Sequence, residues 1–95
     1  CRFAKHPWGP WSEPEILFDC YEDGYGKFIH FPGEPGPNGV NLSEPGHEEI
    51  QGGCYGPYML ARYFHGGAKR CTIYFVMSIW NPYQVVLMRA DIGLP

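Results

Sequence analysis

Between Thr72 and Ile92 the chain reads TIYFVMSIWNPYQVVLMRADI, two apolar runs on either side of Trp80-Asn81-Pro82-Tyr83. Runs of this length rich in β-branched and aromatic residues, split by an Asn-Pro turn, predict two antiparallel strands. A hairpin with one wet face would alternate apolar with polar residues. Ile73-Tyr74-Phe75-Val76-Met77 and Val85-Val86-Leu87-Met88 barely alternate. The pattern therefore predicts strands covered on both faces.

Upstream the signals are shorter. Arg2-Phe3-Ala4-Lys5 reads as the end of a strand, running into a turn at His6-Pro7-Trp8-Gly9-Pro10-Trp11. Glu15 to Phe18 reads as a short edge strand, because Pro14 before it cannot donate to a ladder. Tyr25 to Phe31 predicts another strand, followed by a Gly/Pro/Glu-rich loop that runs to Gly53. Tyr58 to Phe64 then predicts a strand, with a turn at His65-Gly66-Gly67 before the hairpin. No segment has helical periodicity, and Glu48-Glu49-Ile50-Gln51 allows a single turn at most. Tyr25-Gly26-Lys27-Phe28-Ile29-His30 echoes Tyr55-Gly56-Pro57-Tyr58-Met59-Leu60 thirty residues on, as if both segments passed close to another part of the backbone at the glycine.

Composition sharpens this picture. The chain has 95 residues, of which 17% are aromatic, with 13 Gly and 10 Pro, a mix that favours short strands and turns. A chain this small with over twenty residues in a polar loop, from Phe31 to Gly53, has little left to build a core. The net charge of −3, with no basic cluster larger than Lys69-Arg70, excludes the positive face that nucleic acid requires. No apolar run reaches the roughly 18 residues of a membrane span. The chain opens at Cys1 rather than Met and shows no signal peptide, which predicts processing or a cut upstream.

Cys1, Cys20, Cys54 and Cys71 form no C-x-x-C pair and have no histidine at zinc-finger spacing, so neither a metal nor a cofactor is expected. Disulfides are the better expectation, and they imply secretion to an oxidising, extracellular compartment. Four cysteines allow three complete pairings, and a Cys20–Cys54 bridge, which occurs in one of them, would close the long loop and restrict the unfolded chain. Cys1 would then pair with Cys71 or with another chain. Asn41-Leu42-Ser43 is an N-glycosylation sequon, which makes Asn41 a candidate attachment site on a surface loop.

Small antiparallel sheets buried on both faces occur in β-propellers, where each blade lies between two neighbours. The expected class is all-β, with the chain holding the last one to one-and-a-half blades of a propeller rather than an autonomous domain. The residues carry a resemblance in the same direction. Pro7-Trp8-Gly9-Pro10-Trp11-Ser12-Glu13-Pro14 is similar to a turn between outer propeller strands. Tyr55-Gly56-Pro57-Tyr58-Met59, and Tyr74 to Arg89 with its Ser-Ile-Trp-Asn-Pro-Tyr core, resemble the C-terminal end of a secreted five-bladed propeller family formerly of unknown function. That family is related to endo-D-arabinanase-type glycoside hydrolases. The resemblance spans about Arg2 to Asp91, leaving out the Pro32–Gly53 loop. It implies outer strands of the penultimate blade over residues 1–19, a connecting region over 20–54, and inner strands of the last blade over 55–95. It also implies a remainder of the propeller, as a companion chain or missing N-terminal part, that carries the catalytic carboxylates. No catalytic residue transfers to this chain.

Glycoside hydrolysis needs two carboxyl groups about 5 to 10 Å apart. Asp19, Glu22, Asp23, Glu48 and Glu49 all sit in polar turns, where solvated charge is the ordinary role. Tyr55, Tyr58 and Arg62 lie on or beside the presumed innermost strand, where aromatic faces suit sugar C–H surfaces and an arginine suits hydroxyls. Trp80, Asn81 and Tyr83 form a turn that could contact carbohydrate, although Asn81 also suits a simple turn former. His30 is a candidate polar group on the same side, against the plainer role of a core histidine. His6, His47 and His65 fall in turns. The expected function is part of a secreted glycoside-hydrolase-like propeller acting on furanose-containing polysaccharide, and this stretch alone would be inactive. The rivals are a lectin-like propeller without an acid pair and a small disulfide-stapled domain that folds by itself.

Overall fold

The computed structural model describes residues 1–94. The chain is built around one antiparallel sheet of four strands: β1 (Gly53–Met59), β2 (His65–Gly66), β3 (Arg70–Trp80) and β4 (Gln84–Gly93). β3 is central. β4 pairs with it along its whole length, from Arg70 opposite Gly93 to Ile79 opposite Gln84. Its other edge is shared, with β1 pairing from Trp80 back to Phe75 and β2 pairing at Thr72 and Cys71. The protein is thus all-β, with single helical turns at Cys20–Gly24, Pro37–Gly39 and Ala61–Tyr63.

The predicted hairpin is present, and its turn falls at Asn81-Pro82-Tyr83. Its burial differs from the expectation. Cys71, Phe75, Met77 and Ile79 point to one face and are buried, whereas alternate residues of β4 on the other face stay open, with Val85 at 65% and Leu87 at 63% exposure. Opposed residues of an antiparallel pair share a face, so the partly covered Tyr74, Val76 and Ser78 belong to that same open side. The strands are apolar on both faces, but this chain covers only one of them.

The cover comes from residues 18–31. Ile29, fully buried, packs with Phe75, Met77 and Ile79, and Phe18, Cys20, Tyr25 and Phe28 close around them. Here the predicted strand over Tyr25–Phe31 gives way to a compact turn. The Gly24 carbonyl accepts from the amides of Lys27, Phe28 and Ile29, and Gly26 takes a left-handed φ of +74°. Gly56, its counterpart in the echo, is also left-handed at +58°. The two segments share that backbone conformation but not a close approach, since a Cβ on either glycine would meet nothing nearer than 3.7 Å.

The other short strands also differ from the expectation. In place of regular strands over 1–19, the N-terminal arm folds back on itself through a few bonds: Glu15 N–H donates to Cys1 O at 2.8 Å and Ser12 N–H to Phe3 O at 2.8 Å. Pro7, Pro10 and Pro14 have no N–H to extend those contacts into a ladder. The strand predicted from Tyr58 begins earlier, at Gly53, and ends at Met59. Leu60 N–H makes a last bond to Tyr74 O, then the chain winds through a helical turn with Tyr63 N–H donating back to Leu60 O. The turn expected at His65-Gly66-Gly67 shifts on, because His65 and Gly66 pair as β2 and Gly67 N–H closes onto Arg70 O.

The overall form is elongated, 46 × 24 × 21 Å, with a radius of gyration of 16.0 Å. A compact domain of this length would have a radius of about 12.4 Å. No helix among the described residues is long and apolar enough to cross a membrane.

Candidate functional site

The open face of the sheet is ordered in rows. Tyr55, Ser78 and Val85 lie abreast, then Tyr58, Val76 and Leu87, then Tyr74 beside Arg89, then His65, Thr72 and Asp91. Tyr55 and Tyr58, three apart in sequence, would face opposite ways in a regular strand. A bulge at Gly56-Pro57 removes that conflict: the three-residue step from Tyr55 to Tyr58 spans only the two-residue step from Ser78 to Val76. Both rings therefore stand on the open side, at 52% and 68% exposure.

Beyond them the face dips into a shallow hollow lined by Leu60, Tyr63, His65, Tyr74 and Leu87. Tyr63 meets Tyr74 edge-on at 6.5 Å between ring centroids, and the His65 ring lies 6.3 Å from Tyr74. The guanidinium of Arg62 sits 5.3 Å over the Tyr63 ring, an arrangement that favours the cation. The polar end of the face follows. Thr72 Oγ1 donates to Asp91 Oδ1 at 2.6 Å, and Arg89 reaches the same carboxylate at 3.0 Å. The Thr72 hydroxyl, and then Arg89, hold the Asp91 carboxyl below its ordinary value.

The remaining candidates are distributed unevenly. Trp80 caps the opposite end of the face, with the His47 ring 5.3 Å away edge-on and Tyr83 at 4.8 Å. Asn81 has no exposed surface. Its Nδ2 donates to the carbonyls of His47 and Ile50, its Oδ1 accepts from Glu44 N–H at 2.7 Å, and its carbonyl accepts from His30 N–H. His30 is likewise buried, with Nε2 2.6 Å from the Glu48 carbonyl and Nδ1 unpartnered. Asn81 and His30 form an internal node that binds the 44–52 loop to the hairpin turn, away from the tyrosine face. Gly52 belongs to the node through close approach, since a Cβ there would lie 2.5 Å from Asn81 O.

Three carboxylates of residues 1–52 serve local backbone, whereas Glu44 Oε1 accepts from Tyr83 N–H at 2.7 Å at the hairpin turn. Asp19 accepts from Tyr21 N–H at 2.8 Å as a helix cap, Asp23 accepts from Asp19 N–H, and Glu48 accepts from Gly46 N–H. Glu48's own amide, and then that of Gly46, hold the Glu48 carboxyl below its ordinary value. No group of three or more His, Cys, Asp or Glu among the described residues is placed to hold a metal ion. Asn41 is exposed, with its Oδ1 accepting from both the amide and the hydroxyl of Ser43. The sulfurs of Cys20 and Cys54 lie 2.7 Å apart, and no cysteine pair among the described residues is at bonding distance.

Of the residues singled out from the sequence, Tyr55, Tyr58 and Trp80 lie on this face; Tyr63 and Tyr74 were not among them, and His65 was placed in a turn. Counting alternate positions back from Trp80 through Ser78 and Val76 to Tyr74 would have placed Tyr74 on the same face. The chain matches no known protein family, no curated protein and no solved structure in the comparisons made.

Proposed function

We propose that the open sheet face binds carbohydrate and forms one wall of a secreted, glycoside-hydrolase-like β-propeller that acts on furanose-containing polysaccharide. The observation that carries the proposal is the set of half-exposed tyrosines, Tyr55, Tyr58 and Tyr63, on one face beside a polar end. Flat aromatic rings accept the C–H faces of sugars, while Thr72, Arg89 and Asp91 offer donors and acceptors to hydroxyls. Hydrolysis in this scheme uses a carboxylate pair from the remainder of the propeller.

A lectin-like role is the second reading, favoured by one observation. Asp19, Asp23 and Glu48 are engaged with local backbone, and Asp91 on the open face is paired with Arg89. Titration of the full-length protein with arabinan tests both. Binding that falls at least tenfold in Tyr55→Ala/Tyr58→Ala supports the face as the site. Release of reducing ends then assigns the hydrolase, and binding without release assigns the lectin. Arabinan binding unaffected by the double substitution, or no binding of any polysaccharide, removes the proposal.

A further inference from the structure

The cover layer meets the sheet at one pair of sulfurs. Cys20 opens the helical turn within the cover, and Cys54 is the second residue of β1, opposite Ile79. Both side chains pack against the Ile29–Phe75–Met77–Ile79 core. Their sulfurs are 2.7 Å apart, so a disulfide of about 2.05 Å needs an approach of only about 0.7 Å. The other two thiols are placed differently. Cys71 is buried near the far end of β3, in a hollow it shares with His65, Arg70 and Asp91, while Cys1 is exposed and lines a separate hollow under the N-terminal arm.

We propose that Cys20 and Cys54 are a thiol–disulfide modification site, a clasp that fastens residues 20–54 to the edge of the sheet. Every contact of the internal node lies within or against the segment it closes: His30 with Glu48, Tyr25 Oη with Gly52 O at 2.7 Å, and Asn81 with Glu44, His47 and Ile50. Cys54 also adjoins Tyr55, so the clasp holds the strand that carries the tyrosine face. The proposal stands apart from any ligand of that face. In the reaction, one thiolate attacks a small-molecule disulfide such as oxidised glutathione and expels a thiol. The second cysteine then attacks the mixed disulfide and expels another. Two protein thiols are oxidised, one external disulfide is reduced, and both cysteine protons leave on the released thiols. Burial, with the hydrogen bond to Cys54, pushes the Cys20 thiol up to about 11, so exchange should accelerate as pH rises from neutrality.

The test treats full-length native protein with oxidised glutathione, alkylates the remaining thiols, and maps peptides without reduction. The expected product is one cross-linked peptide pair joining Cys20 to Cys54, lost on reduction and absent from C20S/C54S. Recovery of both residues alkylated, or joined to other cysteines, overturns the assignment. Limited proteolysis of residues 31–50 tests the clasp itself. Cleavage should slow at least fivefold on oxidation of the natural sequence and be unchanged by oxidant in C20S/C54S. Equal cleavage of the oxidised and reduced natural forms overturns the clasp.

Discussion

The sheet and its cover are stabilised by different means. Residues 53–93 form a ladder of backbone bonds whose side chains alternate between a buried and an open face. Residues 1–52 contain no strand among them, and their order comes from single points: Ile29 in the core, Asn81 reaching up from the hairpin, and side chains capping local amides. They differ in charge as well. From residue 60 onward four basic side chains face one acid, Asp91, whereas residues 1–59 hold three basic side chains against nine acids. A ladder shares its stabilisation over many equivalent bonds, but the cover concentrates it in a few residues. Single substitutions should therefore separate the two regions.

The largest effect is expected at the point that serves both. Ile29→Ala empties a fully buried site against β3 and should cost about 2–5 kcal/mol in chemical denaturation, with loss of protection throughout. Asn81→Leu should come next, at about 3 kcal/mol, because it leaves Glu44 N–H and the His47 and Ile50 carbonyls without partners. Hydrogen exchange should then show residues 44–52 opening while the β3–β4 amides stay protected. Simultaneous loss in both regions would mean that they fold as one unit.

Alkaline titration gives a smaller effect confined to the clasp. The Cys20 thiol is raised in the fold from 9.0 to about 11, so the reduced protein has this contribution in full below pH 9 and loses it as pH rises toward 11. Denaturation midpoints of reduced natural protein should fall across that window, and those of C20S/C54S should not. The smallest effect belongs to the open face, where Leu87→Ser should change stability by no more than about 0.5 kcal/mol in this chain alone. A destabilisation of about 2 kcal/mol or more would show that another surface covers that face.

The same contrast explains what could be read beforehand. The hairpin was legible because β-branched and aromatic runs around an Asn-Pro turn have few alternatives. Its one-sided burial was not, since an apolar side chain such as Val85 or Leu87 states only that it can be covered. Tyr25–Phe31 looks like a strand by composition, yet three amides converging on the Gly24 carbonyl make it a turn. That outcome depends on Ile29 finding a place among Phe75, Met77 and Ile79, which is a tertiary fact. Asn81 and His30 were recognisable as polar residues in apolar surroundings, but the partners of their side chains, 18 to 37 residues distant in sequence, were not.

The bulge at Gly56-Pro57 gives β1 a property that β4 lacks. β1 uses three residues where β3 uses two, so it carries one residue of slack. Deleting Gly56 would straighten the strand yet leave Tyr58 on the open face and Met59 on the side of Phe75. A one-residue deletion in the middle of β4 would turn over every side chain beyond it. Length variation should therefore be tolerated at one edge of this sheet and rejected at the other.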